Sequence, residues 1–457
     1  MRKALSCGLI IAILCSVLLS LASCKENNVA GDEKLKYYTP YQGTDIISII
    51  ERYNKYCKNN LDESYQIEIV EFNSSEEMYT KMSTELMSGE GPDIFSLDEP
   101  LPFEKLIDNS VLADFDELVN TYNFDINFDD YNAKIMEVGI INGKRCFVPF
   151  FYCPNVFIST QETLEKYGLN SSEFSYKELS QQLSNKKAIY SLFGNISDND
   201  RFLYSFLDSY TDFEDKTTYF DTDGFIENLD YIEELIKNDT TNKDIYYSID
   251  GSGNKSCLFS TPKSFIGGSI SAMKSNYYYL CLQNKTPIIL PNYSKDNKIT
   301  AYVECGVSIN QNSNKKEKAL AFVEYCLSKD VQEYWCGSRP ETTFSGTNTI
   351  SLPVNNAAFD YAVEVETNTE WDHNEDGEFD EDEREFSEKV DSMFWADYLS
   401  IIDGISECTL YDYENLENTY YDSSVIGGIV RKYLNGDISK DKFIRELTAA
   451  TEIYLNE

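Results

Sequence analysis

The sequence predicts an α/β protein whose amino-terminal part is a doubly wound sheet. Three extended runs, at 34–38, 66–72 and 93–97, alternate with two amphipathic helical segments. This β-α-β-α-β order is typical of a sheet that carries helices on its faces. Ligands of such sheets bind beyond the carboxyl ends of the strands, which here are 39–44 and 98–99.

The two helical segments are predicted from their apolar spacing and their ends. The first follows Asp45 and has one apolar face, formed by Ile46, Ile47, Ile49, Ile50 and Tyr53. The second follows Ser74, and Glu77 lies three residues later, in the spacing of a capping box. Met78, Met82 and Leu86 recur every four residues in it, and Gly89 is placed to end the helix.

Later segments continue both kinds of structure. Extended runs are predicted at 145–150, 155–159, 288–290 and 301–309, with a helix-rich stretch over roughly 161–245. Helical periodicity returns at 315–327 and dominates after residue 359.

Composition excludes several classes of function. The 457 residues carry 39 Lys+Arg against 78 Asp+Glu, a formal charge of −39, which argues against a nucleic-acid partner and against docking on anionic lipid through basic patches. The single histidine, His373, excludes most Ser-His-Asp and Cys-His catalysis and any histidine-rich zinc site. Catalysis by a pair of carboxylates stays possible.

The amino terminus predicts export and a lipid anchor. Residues 1–23 have two cations and then an apolar run, the pattern of a signal peptide. The run ends in Leu21-Ala22-Ser23-Cys24, which is similar to a bacterial lipobox, so Cys24 is the predicted site of diacylation. Residues 24–33 would form a polar tether. The protein is therefore expected outside the cytoplasm, anchored to the outer face of the cell membrane.

The cysteines do not form an obvious disulfide pattern. Nine of the 12 remain after loss of Cys7 and Cys15 and lipidation of Cys24, and none lies in a CxxC motif. An odd number, with several members in apolar runs, favours buried thiols.

Six short segments follow one another in a set order. They are 79–95, which contains Gly89-Glu-Gly-Pro-Asp93-Ile, then 143–149, 271–276, 306–328, 391–395 and 436–455. In order and spacing they resemble the family-1 extracellular solute-binding proteins of ABC importers, the maltose-binding-protein type.

The resemblance implies a two-lobed, type II periplasmic-binding-protein-like α/β fold with hinge crossings and a helical carboxyl-terminal region. Lobe 1 would be 34–150 plus 303–345, and lobe 2 would be 151–302 plus 346–457. A monomer would capture a sugar or oligosaccharide between the lobes and deliver it to membrane permease subunits, without catalysis.

The resemblance also implies ligand-binding positions, each carried over singly. They are Tyr41 and Gln42 after the first strand, Asp98 and Glu99 after the third, Phe151 and Tyr152 near one crossing, Glu304 at the other, Tyr279, and Trp395. Tyr279 stands where maltose-binding members place a tryptophan, which weakens the inference of a particular sugar. The residue types suit a pyranose, whose C–H faces pack on aromatic rings and whose hydroxyls bond carboxylates and amides.

A calcium-binding loop is predicted independently at 372–383, DHNEDGEFDEDE. Its oxygen ligands would be those of an EF-hand loop: Asp372, Asn374, Asp376, the backbone carbonyl of Glu378, Asp380 and the bidentate Glu383. Gly377 allows the sharp turn between them. A single loop suggests a structural Ca²⁺ rather than a sensor, placed to position the helix that carries Trp395.

Other functions stay open on the sequence alone. The ligand could be a peptide, a polyamine or a metal complex instead of a sugar. A secreted glycosidase would need two facing carboxylates, and no motif singles out such a pair. A surface adhesion protein organised by calcium would lack a cleft that closes.

Overall fold

A computed structural model describes the following parts of the chain: residues 34–39, 45–96, 106–107, 109–169, 176–185, 203, 206–207, 209–212, 216–238, 247–248, 255–256, 258, 270–291, 298–336, 352–367, 380–409 and 425–456.

The described strands are β1 (Leu35–Thr39), β2 (Ile67–Glu71), β3 (Ile94–Phe95), β4 (Ile140–Ile141), β5 (Lys144–Arg145), β6 (Val148–Pro154), β7 (Val156–Thr160), β8 (Thr211–Asp212), β9 (Thr217–Thr218), β10 (Tyr247–Ser248), β11 (Lys255–Ser256), β12 (Pro287–Pro291), β13 (Ile299–Ile309), β14 (Leu352–Pro353) and β15 (Ile405–Thr409). The described α-helices are α1 (Asp45–Asn60), α2 (Ser75–Met87), α3 (Phe115–Tyr122), α4 (Ala133–Glu137), α5 (Gln161–Tyr167), α6 (Tyr176–Asn185), α7 (Asp223–Asn238), α8 (Ile270–Leu282), α9 (Lys316–Leu327), α10 (Lys329–Cys336), α11 (Asn356–Thr367), α12 (Glu381–Gly404), α13 (Val425–Leu434) and α14 (Lys440–Asn456). Two short 3-10 helices span Glu63–Tyr65 and Phe128–Asp130.

The predicted α/β class and the β-α-β-α-β beginning are confirmed. A sheet has the order β14-β6-β13-β3-β1-β2, with β15 also paired to β13. Strand β1 runs parallel to β2 and to β3. Helix α1 buries the five apolar residues expected on its inner face. Helix α2 is capped by Ser74, whose hydroxyl accepts from the Glu77 N–H, whereas the Glu77 carboxylate bonds Asn73 instead of completing the box.

Asp93 explains why a short Gly-Pro-Asp motif precedes β3. Its carboxylate accepts from the Lys36 N–H at 2.8 Å, from the Ser313 hydroxyl at 2.6 Å and from the Lys315 ammonium at 2.8 Å. These donors belong to β1 and to the turn between β13 and α9. One buried side chain therefore joins three segments of the sheet and satisfies a backbone amide.

Strands β6 and β13 connect this sheet with a second region. They pair antiparallel, with register shifts between Val303 and Cys305 and between Cys305 and Gly306. Beyond them β7 pairs antiparallel with β12, and the Asn155 N–H bonds the Thr300 carbonyl at 2.9 Å where β6 passes into β7. Register shifts of this kind bend a strand, so the two sheets need not be coplanar.

The apolar clusters follow the same division. The largest runs from β1 and α1 through β6 and β13 to α8 and α12. A separate cluster packs α5, α6 and α7 against α13 and α14. The core is thus continuous across the connecting strands, with an independent core beyond them.

Phe147, just before β6, is held between two glycines. A Cβ on Gly139 would lie 1.9 Å from the Phe147 carbonyl oxygen, and one on Gly306 would lie 2.3 Å from the Phe147 ring. Only residues without a side chain fit these contacts, and β13 can therefore pass close to the start of β6.

Seven described cysteines carry thiols rather than disulfides, at 57, 146, 153, 281, 305, 326 and 408. Five of them are buried, in agreement with thiols that pack as small apolar groups. Among the described helices, none has the length and apolar character needed to cross a bilayer.

Candidate functional site

Helices α8 and α12 build the candidate site beside the connecting strands. Helix α12 begins at a capping box: the Asp380 carboxylate accepts from the Glu383 N–H at 2.9 Å, and the Glu383 carboxylate accepts from the Asp380 N–H at 3.1 Å. Residues 383, 387, 391 and 395 recur every four positions and are all buried, so they lie along one side of the helix. Trp395 is one turn beyond Asp391 on that side.

A cluster of aromatic residues lies where α12 meets α8. We call Tyr277, Phe394, Trp395, Tyr398 and the β6 residue Tyr152 the junction cluster. The Phe394 ring packs edge-on against those of Tyr277 and Trp395 with centroids 5.6 Å and 5.0 Å away, and it stacks on Tyr398 at 5.3 Å. Such pairs add packing energy beyond area burial.

Strand β6 supplies Tyr152, the remaining member of the junction cluster. Burial raises the pKa of Tyr398 well above its ordinary value, and the nearby Cys153 and Tyr152 raise it further. Asn132 donates to the Tyr152 hydroxyl at 3.4 Å. The cluster therefore joins helix α12 to the strand that links the two regions.

Two polar atoms of the junction cluster stand out. The Trp395 indole N–H and the Tyr398 hydroxyl are buried without a hydrogen-bond partner in the described structure, as is the Ser387 hydroxyl nearer the start of α12. Leaving a buried polar group unpaired costs about 1–3 kcal/mol. A ligand hydroxyl could accept a hydrogen bond from the Trp395 indole N–H. A ligand hydroxyl could also donate to the Tyr398 hydroxyl or accept from it.

Carboxylates tie α12 to its neighbours on both sides of Trp395. Lys274 Nζ lies 2.7 Å from Asp391 Oδ1, and the Tyr277 hydroxyl donates to Asp397 at 2.9 Å. Burial raises the pKa of Asp397, and hydrogen bonds from Tyr277 and the Ile289 N–H offset only part of that effect.

The sequence-predicted residues are placed as follows. Tyr41, Gln42, Asp98 and Glu99 lie outside the described residues, as do Cys24 and the loop ligands Asp372, Asn374, Asp376 and Glu378. Phe151, Tyr152 and Trp395 are buried, Glu304 is half-buried at the register shift of β13, and Tyr279 is exposed. Trp395 and Tyr152 share the junction cluster, whereas Tyr279 is 59% exposed on α8, next to the buried Tyr277 and Tyr278.

The end of the predicted calcium loop lies at the start of α12. Asp380 is exposed and Glu383 is only 1% exposed, with its carboxylate turned back toward the loop by its bond to the Asp380 amide. Asp380 and Glu383 supply carboxylates of the kind that a hard cation binds, but residues 372–379 lie outside the described residues, so the calcium site stays a prediction. Within the described ranges, no group of three or more histidine, cysteine or acidic residues could hold a metal by itself.

Sequence reasoning missed Tyr398 and the Lys274–Asp391 pair. Tyr398 lies three residues after Trp395, so helical spacing would have placed both on one side of α12. Lys274 is the lone charge in the α8 segment ISAMKSNYYYLCL, an unusual feature in an otherwise uncharged helix.

Solved structures share the fold at low sequence identity. The sugar-binding protein MalE from Xanthomonas citri is 12% identical with a TM-score of 0.57, and the match covers 93% of this chain and 97% of that chain. The ABC substrate-binding protein Lmo0181 from Listeria monocytogenes, in complex with cycloalternan, is 12% identical with a TM-score of 0.53, covering 93% and 98%. UgpB from Mycobacterium tuberculosis, in complex with glycerophosphocholine, is 15% identical with a TM-score of 0.55, covering 93% and 99%. These likenesses confirm the predicted two-lobed fold.

The sequence itself also has a family match. Among curated proteins, none matches it significantly. The model of the family described as bacterial extracellular solute-binding protein matches residues 44–333, which span α1 to α10 and include β6, β13 and α8. The resemblance found in the sequence is thereby confirmed, and the chain belongs to the bacterial extracellular solute-binding protein family.

Proposed function

We propose that this solute-binding protein is the receptor of an ABC importer and that its solute is a sugar or oligosaccharide. The observation that carries the proposal is the junction cluster, with the unpartnered polar ends of Trp395 and Tyr398 among aromatic rings. Aromatic faces and a few convergent hydrogen-bonding groups are what a carbohydrate requires. MalE and Lmo0181, which share the fold, are described as a sugar-binding protein and as a complex with cycloalternan.

Delivery would follow closure of the two regions around the sugar. The register shifts of β13 on either side of Cys305 are where rotation would be absorbed, since hinges are a few positions that take up the change in backbone angles. Permease subunits would then recognise the closed form of a monomer.

A thermal-shift screen of mono- and oligosaccharides, with Ca²⁺ present, tests the ligand class. We expect at least one sugar to raise the melting temperature, because a ligand bound only to the folded state stabilises it. Peptides, polyamines, metal complexes and glycerophosphocholine belong in the same screen. A shift with one of those and none with any sugar would overturn the proposed class.

Tyr398→Phe tests the location of the site. Removing an unpartnered buried hydroxyl should leave the protein as stable or about 1 kcal/mol more stable, while affinity for a sugar found in the screen falls about tenfold, equivalent to about 1.4 kcal/mol. Ser387→Ala is the matched control, because it removes another buried, unpartnered hydroxyl of α12 but should leave affinity unchanged. Equal affinities for Tyr398→Phe and the wild type would place the site elsewhere.

The absence of catalysis is part of the proposal. The supporting fact is that the family consists of solute-binding proteins. Incubation of each bound oligosaccharide with purified protein should return it intact by mass spectrometry. Hydrolysis would favour the glycosidase alternative and a pair of facing carboxylates.

Attachment through a diacylated Cys24 is supported by the sequence Leu21-Ala22-Ser23-Cys24 and by the extracellular family. Cys24→Ala should move the protein from the membrane fraction to the medium or the soluble envelope fraction. Mass spectrometry of the amino-terminal peptide should show the lipid on the wild type alone. An unmodified, membrane-free wild type would contradict the anchor.

A structural Ca²⁺ is the last part of the proposal. Asp372, Asn374, Asp376, the Glu378 carbonyl, Asp380 and Glu383 would hold it, and the ion would relieve repulsion among their carboxylates. Glu383→Gln keeps an oxygen for the Asp380 N–H bond but removes the bidentate ligand, and Glu381→Gln, two residues earlier and exposed, is the matched control. Calcium should raise the melting temperature of the wild type and Glu381→Gln only. No response of the wild type to EDTA followed by Ca²⁺ would exclude the ion.

A further inference from the structure

An ion pair lies in the interface between α8 and α12, away from water. The Lys274 side chain is 0% exposed and that of Asp391 is 5% exposed, with their charged atoms 2.7 Å apart. Burial raises the pKa of Asp391, and the ammonium of Lys274 opposes that effect. Stability alone does not explain such a buried pair. Removing two charges from water is costly, and apolar side chains of similar size often give a protein that is as stable or more stable.

The position of the pair suggests why it is there. Asp391 is one helical turn before Trp395 on the same side of α12. On the other side of Trp395, Asp397 accepts from the Tyr277 hydroxyl at 2.9 Å and from the Ile289 N–H. Since Lys274 and Tyr277 are neighbours one turn apart on α8, both carboxylates fasten the Trp395 segment to the same helix.

Apolar packing alone would fix this segment less strictly. Tyr277 and Tyr278 of α8 contact Phe394 and Phe386 of α12 through ring edges, and ring contacts tolerate sliding and rotation. The Lys274–Asp391 ion pair instead holds two deeply buried charged atoms 2.7 Å apart at one fixed point of the two helices. It therefore sets the rotation of α12 about its axis, and with it the direction of the Trp395 indole.

We propose that Lys274 and Asp391 are positioning residues for ligand binding: their ion pair orients α12 so that Trp395 and Tyr398 face the solute. The inference rests on the proposed function for the role of Trp395, but the orientation itself is independent of any ligand. Neither residue touches the solute.

The test uses full-length protein with Trp335→Phe and Trp371→Phe, which leaves Trp395 as the only tryptophan in the sequence. In this background we compare Lys274→Met, Asp391→Asn and the double variant Lys274→Met/Asp391→Leu. Acrylamide quenching of the ligand-free protein reports the exposure of the indole. Affinity is measured for a sugar from the screen described above, and melting temperature for each variant.

The double variant separates positioning from stability. Both single variants should melt at lower temperature, whereas the double variant should recover most of the loss because no charge stays buried alone. We nevertheless expect the double variant to show a shifted emission maximum, a changed quenching constant and at least tenfold weaker binding. Lys315→Met/Asp93→Leu, in the first sheet, is the control and should keep wild-type emission.

Two results would overturn the inference. A double variant with wild-type emission, quenching and affinity would show that the pair only stabilises the fold. Wild-type emission and quenching in both single variants would also show that the ion pair does not orient Trp395. If no sugar binds the wild type while emission still changes in the double variant, the proposed solute is wrong and the positioning role stands.

Discussion

Two lysine–aspartate pairs of the described structure have nearly the same length and very different surroundings. Asp93 holds Lys315 at 2.8 Å and also accepts from a backbone amide and a serine hydroxyl. Asp391 holds Lys274 at 2.7 Å between two helices, with both side chains more deeply buried. The first pair belongs to a network that satisfies the backbone of the sheet. The second joins two helices whose backbones are already satisfied, so its loss changes orientation more than connectivity.

Breaking the network around Asp93 should have the largest effect. Asp93→Ala leaves the Lys315 ammonium, the Lys36 N–H and the Ser313 hydroxyl without their acceptor, and we expect a loss of about 3–5 kcal/mol in the free energy of unfolding. Urea unfolding followed by circular dichroism measures it. Glu90→Ala, at an exposed neighbouring position, is the control. A loss below about 1 kcal/mol would mean that the network does not stabilise the sheet.

Apolar replacement of each pair sharpens the comparison. Lys315→Met/Asp93→Leu still orphans the Lys36 N–H and the Ser313 hydroxyl, so we expect it to stay about 1–3 kcal/mol less stable than the wild type. Lys274→Met/Asp391→Leu should lie within about 1 kcal/mol of the wild type. Urea unfolding followed by circular dichroism measures the free energy of unfolding of both double variants and the wild type. Equal recovery by both double variants would show that the two environments do not differ in this way.

Acidity should affect the helix interface in a defined direction. Burial raises the pKa of Asp397 above the ordinary value of 3.8. Groups with raised pKa in the folded state contribute most below their unfolded pKa and lose that contribution as pH rises through the folded value. The melting temperature should therefore rise as pH falls from neutral toward that ordinary value. Asp397→Asn should show a smaller rise, and an unchanged pH profile would contradict the assignment.

At lower pH the trend should reverse. Burial works to raise the pKa of Glu162, but hydrogen bonds from Thr286 outweigh it, so this pKa lies below its ordinary value of 4.5. Its stabilising contribution is present above that value and is lost as pH falls further. The melting temperature of Glu162→Gln should therefore fall less than that of the wild type when the pH is lowered into this range.

The smallest effect is expected for an exposed pair. Lys298 and Glu407 are 3.1 Å apart, and both side chains are nearly half exposed. Lys298→Met should change the free energy of unfolding by less than about 0.5 kcal/mol, because solvent and salt screen such pairs. If Lys298→Met lowered the free energy of unfolding as much as Lys274→Met does, burial would not be what makes the loss of an ion-pair partner costly.

Local patterns predicted the local structure well. The apolar face of α1 and the cap of α2 at Ser74 depend on neighbours in sequence, and both are present. The run predicted at 145–150 is divided: β5 ends at Arg145 and β6 begins at Val148. The turn before β5 places Asn142 and Gly143 at positive φ, and such a turn closes a short hairpin that the apolar run does not reveal.

Long-range partners were beyond sequence reasoning. Tyr277 and Asp397 are 120 residues apart, and nothing in either segment selects the other. The order of the six family segments predicted that α8 and α12 belong to the same fold, but only the packing of the helices brings Lys274 to Asp391. The predicted site residues that lie outside the described ranges stay predictions, as do the lobe boundaries.

The glycine contacts of Phe147 have a consequence for natural variation. Gly139 approaches the Phe147 carbonyl and Gly306 approaches its ring, at distances that no Cβ could share. Neither position can change by a single mutation while the other contacts stay in place. These two positions should therefore be among the slowest to diverge within the family. A substitution at either would identify members in which β6 and β13 approach each other differently.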